Sequence, residues 1–248
     1  LDLVFRGSSR IFALAIAGIL VLITLIVAIR AFPAISKFGL GFLTSSTWNP
    51  VKDEYGILAA IYGNIISSLI ALLISVPIGL GVAIFLSEDY LKPNVQRVFV
   101  FLVELLAAIP SVVYGLWGIF VLIPFLKNFT PVSGPSLLPA SLILSVMILP
   151  TIAAISRDAI INVPDNLRQA SVGLGATRWE TILLIILPAA SSGIIGGIML
   201  ALGRALGETM AVTMIIGNSM KIDVSVFQPS NTIASLLANQ FAEASGLQ

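Results

Sequence analysis

Residues 164–188, PDNLRQASVGLGATRWETILLIILP, form a polar interruption between two apolar runs, each long enough to cross a bilayer. Pro164 and Asp165 favour a helix start, because proline lacks a donor that would be orphaned there and a carboxylate suits the positive helix end. Gly173 and Gly175 supply the permissive backbone that ends this helix. The stretch therefore predicts a short helix followed by a sharp break.

A second helix is predicted to begin directly after the break and to enter the membrane. Thr177 and Glu180 form the T-x-x-E pattern of a capping box, in which each residue satisfies a backbone donor of the other. Within the first helix, four residues at helical spacing share one face: Leu167, Ala170, Ser171 and Leu174.

This loop resembles the EAA loop of ABC importer permeases, whose pattern is Glu-Ala-Ala, three residues, Gly, nine residues, then Ile-x-Leu-Pro. The matching positions are Gln169, Ala170, Ser171, Gly175, Ile185, Leu187 and Pro188. Gln169 and Ser171 depart from the pattern by near-isosteric changes. The resemblance implies a cytoplasmic coupling loop over 157–180 that docks into a separate ATPase subunit. Its coupling residues would be Leu167, Gln169, Ala170, Ser171 and Gly175. The alternative is an ordinary helix-turn-helix connector between membrane spans.

The composition sets limits on the function. Hydrophobic residues make up 58% of the chain and charged residues 10%, whereas soluble domains carry about 25% charged residues. Cysteine and histidine are both absent from the sequence, which removes thiol chemistry and the commonest base and metal ligand. The net charge of +1 points to no polyanionic partner. We therefore expect no catalytic residues, no metal site and no directly bound cofactor.

The hydropathy pattern predicts an all-α fold, a polytopic transmembrane helix bundle that forms a single domain over 1–248. Five spans are predicted, at about 11–29, 57–86, 98–126, 137–156 and 181–216. Pro110 and Pro188 should kink the third and fifth spans, because proline removes a helical hydrogen bond. The segment 30–56 is expected to be an irregular surface loop.

The outer C-terminal segment, 218–248, is too polar to cross the membrane. Four apolar residues line one face of a predicted surface helix within it: Ile233, Leu236, Leu237 and Phe241. No sixth span follows, and the sequence begins at Leu1 rather than at a methionine. We therefore expect this sequence to be a piece of a longer chain.

The distribution of lysine and arginine predicts an orientation. With the N-terminus inside, the inner segments hold seven basic residues: Arg6, Arg10, Lys92, Arg97, Arg157, Arg168 and Arg178. The outer segments then hold five, spread over more residues: Arg30, Lys37, Lys52, Lys127 and Lys221. The positive-inside rule favours this arrangement. It places the coupling loop on the cytoplasmic side, where an ATPase can reach it.

Two charged residues interrupt the fifth predicted span. Arg204 and Glu208 are four residues apart, hence on one face of a continuous helix. An ionisable group at membrane depth costs about 2.5–3.5 kcal/mol on insertion scales, so it normally faces a cavity or a partner. The planar fork of arginine suits a tetrahedral oxyanion. The physical argument leaves a second interpretation equally open, a self-neutralising pair that only fixes helix packing.

Glu104 is the other carboxylate within an apolar run. It follows Arg97 by about two helical turns, so we expect it to snorkel or to form an ion pair near the cytoplasmic face. A direct role in transport is the less favoured interpretation.

A second resemblance points to a narrower group within the ABC importer permeases. Ala107–Gly118 and Gly203–Val212 are similar to the permeases of high-affinity phosphate ABC importers, and Thr44–Val51 is similar to their C-type subunit. In that family, the arginine and glutamate of the fifth-span motif are implicated in phosphate passage. The resemblance therefore implies this role for Arg204 and Glu208. Members of the family carry a sixth span after the final outer segment.

The resemblance implies a type I importer permease fold and half of the path for inorganic phosphate across the bacterial inner membrane. Its partners would be a second homologous permease, two copies of an ATPase subunit, and a periplasmic or lipid-anchored phosphate-binding protein. The chain has no G-x-x-x-x-G-K-[ST] phosphate loop, so the partner hydrolyses ATP and the chain itself is no enzyme.

There are three alternatives to this interpretation. One differs from it in the substrate, and two differ in the class of protein. The coupling-loop pattern also suits a permease for another oxyanion, such as sulfate or molybdate. The chain could instead be a membrane scaffold protein with no transport path. An intramembrane enzyme is disfavoured by the missing histidine and cysteine.

Overall fold

The computed structural model describes residues 2–88 and 90–241, with side chains from Phe5 onward. The last part of the predicted C-terminal segment, 242–248, lies outside the described residues. The chain divides into two compact units, the first of which ends at Ile57. Helices dominate both units, which confirms the predicted all-α class.

The first unit opens with one long helix, α1 (Asp2–Phe38). Its run is rich in Ile, Leu and Ala, and its helical backbone groups bond to one another, as a bilayer demands. Phe5–Phe38 is long and apolar enough to cross a membrane, and it contains the whole predicted span 11–29. The helix also continues well into the segment that was expected to be a loop.

The rest of the first unit is a short helix and a small antiparallel hairpin: α2 (Gly41–Thr44), β1 (Trp48–Asn49) and β2 (Glu54–Tyr55). Trp48 pairs with Tyr55 across the hairpin, and their ring centroids lie 5.1 Å apart in an edge-to-face arrangement. The ring centroid of Phe38 lies 5.6 Å from that of Tyr55, also in an edge-to-face arrangement. This aromatic cluster orders a segment that the sequence predicted to be irregular.

The second unit is built from helices, most of them joined by short connections: α3 (Leu58–Ser87), α4 (Pro93–Ala108), α5 (Ser111–Trp117), α6 (Ile123–Lys127), α7 (Leu137–Ile161), α8 (Asp165–Gly173), α9 (Arg178–Thr181), α10 (Leu187–Leu206), α11 (Met210–Ile215) and α12 (Ile233–Gln240). One π-helical turn joins α5 to α6, at Gly118–Leu122, and another joins α9 to α10, at Ile182–Ile186. Across the part of the chain that the structure describes, four helices are long and apolar enough to cross a membrane. The number is five if the bent pair of α4 with α5 and α6 is one span.

The centre of the second unit is α7, whose side chains are buried along most of its length. The largest of these are Ile143, Leu144, Met147, Ile148, Ile152 and Ile160. Gly79 of α3 abuts Ile152, and Gly193 of α10 lies against Ala159. Because lipid is as apolar as these side chains, close packing on small residues holds the helices together.

The third predicted span, 98–126, is broken at Pro110 rather than kinked. Ile109 and Pro110 have extended backbone, with ψ angles of 128° and 139°. Proline disfavours the helical conformation of the residue before it, which explains why the first segment stops there. The two helical segments on either side of the break diverge by 88°.

Pro188 has a milder effect, because the helix continues through it. The proline occupies the first turn of α10 and directly follows the π-helical turn Ile182–Ile186. A π turn inserts one extra residue into the helical ladder, which accommodates the missing proline donor. The helix irregularity therefore lies just before Pro188 instead of at a sharp bend.

The structure replaces the predicted continuous span 181–216 with separate helices. Helix α10 ends at Leu206, where Gly207 forms the C-cap, and α11 begins only at Met210. Gly207 has φ −94° and ψ 0°, in the bridge region next to the helical one. The break falls beside Glu208, so it changes the geometry of the predicted charged pair.

Helix α12 buries a polar residue as well as one residue of the predicted apolar face. Ser235 and the N-cap residue Thr232 are buried and form a capping box, with Ser235 N donating to Thr232 Oγ1 over 3.1 Å. Asn231 Oδ1 accepts from Ser235 Oγ over 2.5 Å. Of the four predicted face residues only Leu236 is buried, whereas Phe241 is 81% exposed. The hydroxyls satisfy one another, so they can be buried where isolated polar groups could not.

Candidate translocation and coupling sites

The loop after α7 has the predicted succession of helix, break and helix. Pro164 is the N-cap of α8, and Asp165 opens its first turn. Gly175 has a positive φ of 87°, a conformation that L side chains rarely adopt. The short helix therefore stops because glycine lets the backbone turn away from it.

The capping box of the next helix is confirmed. Thr177 N donates to Glu180 Oε2 over 2.7 Å, and Glu180 N donates to Thr177 Oγ1 over 3.3 Å. This reciprocal pair satisfies two donors at the start of α9. It fixes the direction in which the chain enters the long helix that follows.

The predicted coupling residues divide between two sides of α8. Ser171 is buried, and its hydroxyl lies 2.9 Å from that of Thr181 in α9. The other predicted coupling residues are exposed: Leu167, Gln169, Ala170 and Gly175. Of the four residues predicted to share one face of this helix, only Ser171 is buried, and Leu174 is 90% exposed. The exposed side instead offers apolar and polar groups to another protein.

One long-range contact of this loop was not predicted. Arg168 of α8 forms an ion pair with Glu88, which lies just after α3. It also donates through Nη2 to the Ile160 carbonyl over 3.1 Å, at the end of α7. The sequence separation of 80 residues between Arg168 and Glu88 leaves no local pattern that could have revealed the pair.

Arg204 lies near the C-terminal end of α10, with its side chain partly buried. Its Nη1 donates to Thr151 Oγ1 of α7 over 3.2 Å. It also lies close enough to Tyr114 of α5 to interact with it electrostatically. Two other helices, α7 and α5, thus place a polar group near one guanidinium inside an otherwise apolar bundle.

Glu208 does not share a helix face with Arg204, contrary to the sequence-based expectation. It lies in the break between α10 and α11, and its Oε1 accepts from Ala211 N over 3.3 Å. No ion pair joins the two side chains in the part of the chain that the structure describes. Gly203 and Gly207, at helical spacing around Arg204, were the available signal for a helix end.

Glu104 lies exposed on α4. Its carboxylate forms no ion pair within residues 2–88 and 90–241, so the expected pairing is not seen in this structure.

Comparison with known proteins bears on this geometry. Residues 75–238 match the family described as binding-protein-dependent transport system inner membrane component, a region that includes both α8 and Arg204. The chain belongs to this permease family.

Named relatives cover almost all of the permease. The phosphate transport system permease protein PstC of Mesorhizobium japonicum is 43% identical over 265 residues, which cover 99% of this chain and 81% of that protein. The probable phosphate transport system permease protein PstC of Methanocaldococcus jannaschii is 36% identical, over 87% of this chain and 74% of that protein.

A solved structure shares the fold. It is an inward-facing conformation of the MetNI methionine ABC transporter, with 20% sequence identity and a TM-score of 0.54. The match covers 76% of this chain and 79% of that chain. The permease is therefore a multi-pass inner-membrane helix bundle with the fold of ABC importer permeases.

Proposed function

We propose that this permease is one of two homologous membrane subunits of an ATP-driven importer, and that it forms half of the path for inorganic phosphate. The observation that carries the proposal is Arg204, a partly buried guanidinium among apolar helices, in a chain similar over 99% of its length to a phosphate transport permease. An intramembrane arginine of this kind normally faces a cavity or a partner.

Arg204 has guanidinium N–H groups that find no acceptor among the described residues, and these groups suit an anion as its partner. A guanidinium has five N–H donors in a planar fork. Among the described residues, its one hydrogen-bond acceptor is Thr151 Oγ1. Bidentate bonds to a tetrahedral oxyanion would use donors that the protein leaves available.

Glu208 has a different role in this proposal. Its carboxylate holds the backbone at the start of α11, beside the Gly207 break. It therefore shapes the path next to Arg204 instead of neutralising the arginine, which keeps the guanidinium charge available for an anion.

The exposed side of α8 is the proposed docking element for the ATPase. Leu167 and Leu174 are 41% and 90% exposed there, and exposed apolar residues on a short helix suit insertion into a groove. The ATPase, present in two copies, would hydrolyse ATP and displace α8. The bundle would then alternate between outward-facing and inward-facing states. A periplasmic or lipid-anchored binding protein would deliver phosphate from the outside.

Two alternatives stay open and are separated by experiment. Sulfate and molybdate are also tetrahedral oxyanions and could use the same fork. A membrane scaffold would need neither Arg204 nor an ATPase.

The test is uptake of labelled phosphate into vesicles that contain the permease with its second subunit, the ATPase and the binding protein. We expect ATP-dependent uptake that excess unlabelled phosphate abolishes and that sulfate or molybdate leaves unchanged. Stronger competition by sulfate or molybdate would reassign the substrate. Purification of the permease without an ATPase, and no effect on ATP turnover, would favour the scaffold.

A further inference from the structure

Polar side chains from three other helices converge on the C-terminal end of α3. The Leu86 carbonyl accepts from Gln96 Nε2 of α4 over 2.6 Å and from Arg157 Nε of α7 over 3.4 Å. Glu88 forms its ion pair with Arg168 of α8. We call these five residues the α3-end cluster. Basic groups suit this position, because the carbonyls at a helix end carry partial negative charge.

The ion pair within the α3-end cluster is shielded from solvent. The side chains of Arg168 and Glu88 are 22% and 18% exposed. The Lys37–Asp53 pair in the first unit is more open, with side chains 43% and 64% exposed. Exposed pairs contribute little, whereas removing one partner of a shielded pair leaves an uncompensated charge.

Arg168 is the polar connection between α8 and α3. Within the described residues, the other polar contact from an α8 side chain to a different helix joins Ser171 to Thr181 of α9, which directly continues the same loop. Arg168 instead reaches back to Ile160 at the end of α7 and to Glu88 after α3. One side chain therefore ties the ends of two long helices to the short helix α8.

We propose that Arg168 is a positioning residue that passes displacement of α8 to α3 through Glu88. The proposal rests on the proposed function, in which an ATPase displaces α8. Helix α3 packs along α7 through close contacts such as Gly79 against Ile152. Because well-packed helices transmit strain, movement at the end of α3 would reach the membrane part of the bundle.

Charge exchange tests this link in the complete importer complex. The variants are Arg168→Glu, Glu88→Arg and the double exchange. Two quantities are measured: the amount of co-purified ATPase and the phosphate taken up per ATP hydrolysed. We expect each single variant to keep its ATPase but to lose about tenfold in uptake per ATP, within the range for contacting charged groups. The double exchange should recover to within about threefold of wild type.

The exposed Lys37–Asp53 pair provides the matched control. The exchange of Lys37→Glu with Asp53→Lys should leave uptake per ATP unchanged. Wild-type coupling in Arg168→Glu, or no recovery in the double exchange, would overturn the link. A wild-type complex that shows no ATP-dependent phosphate uptake would overturn the proposed function itself, which is a different result.

A second pair of variants keeps the test valid if Arg168→Glu fails to assemble. Arg168→Lys retains the charge toward Glu88, whereas Arg168→Gln retains only polarity. Arg168→Lys should couple ATP hydrolysis to uptake better than Arg168→Gln. Equal coupling in the two variants would mean that charge toward Glu88 does not matter and would overturn the proposal.

Discussion

At the scale of single residues, Arg204 and Glu208 have different hydrogen-bond partners and therefore different roles. The Arg204 guanidinium is oriented by the Thr151 hydroxyl of α7, whereas the Glu208 carboxylate accepts from a backbone amide of the next helix. A self-neutralising pair would require the two groups to meet. Their separate partners favour an arginine whose charge is available to an anion.

This arrangement predicts that exchanging the two charges fails. Arg204→Glu combined with Glu208→Arg would place a carboxylate beside Thr151 and remove the acceptor of the Ala211 amide. We expect uptake to fall at least tenfold, as in Arg204→Glu alone, since about 1.4 kcal/mol of lost interaction already gives that factor. The measurement is phosphate uptake at equal amounts of assembled complex. Recovery by the double variant would point to a purely structural pair.

Gly175 is the residue on which the shape of the coupling loop depends. Proline cannot adopt the φ of 87° at this position, because its own φ is fixed near −65°. Proline would also remove the amide that donates to the Val172 carbonyl over 2.9 Å. Gly175→Pro should therefore reset the break between α8 and α9, at a local cost of more than about 1 kcal/mol. We expect normal membrane insertion with loss of phosphate uptake per ATP hydrolysed.

Gly173→Ala is the control for this variant. It lies in the same loop, within α8, and an added Cβ would meet no atom within 4 Å. This variant should couple like wild type. Normal uptake in Gly175→Pro would contradict the assigned role of the loop.

At the scale of elements, the contact between α7 and α10 depends on glycine. A Cβ at Gly193 would lie 2.5 Å from Ala159 Cβ, closer than packed carbons approach, whereas a Cβ at Gly196 would meet nothing within 4 Å. Gly193→Ala should destabilise the bundle by about 1–3 kcal/mol through overpacking. Gly196→Ala on the same helix should be neutral or stabilise it by up to about 1 kcal/mol. Thermal unfolding in detergent compares the two, and equal melting temperatures would contradict this packing.

Elements governed by local chemistry were predictable from the sequence. The capping box of Thr177 and Glu180 and the turn at Gly175 each depend on a few neighbouring residues. The break at Gly207 was missed, because an apolar run continues on both sides of it and hydropathy alone favours one helix. The Arg168–Glu88 pair was missed for another reason: it forms only when distant helix ends meet in the folded chain.

At the scale of the whole molecule, the lysine and arginine distribution predicts that the N-terminus and the α8 loop face the cytoplasm. The absence of cysteine from the sequence makes this simple to test with single cysteines. Asn166 and Ser133 are both exposed and lie on opposite sides in the predicted topology. A membrane-impermeant maleimide added to intact cells should label Ser133→Cys and spare Asn166→Cys. The reverse labelling would invert the topology and remove α8 from the reach of an ATPase.

Phosphate uptake by Arg204→Gln is the most direct test of whether Arg204 is part of a phosphate path. The substitution keeps polarity but removes the charge and the fork, while Arg30→Gln changes an exposed arginine of α1 as the control. Both variants should insert and assemble with the ATPase. In vesicles with matched amounts of complex, we expect Arg30→Gln to take up phosphate like wild type and Arg204→Gln to lose at least about tenfold, the factor for 1.4 kcal/mol. Wild-type uptake by Arg204→Gln would contradict the claim that this arginine lines the path.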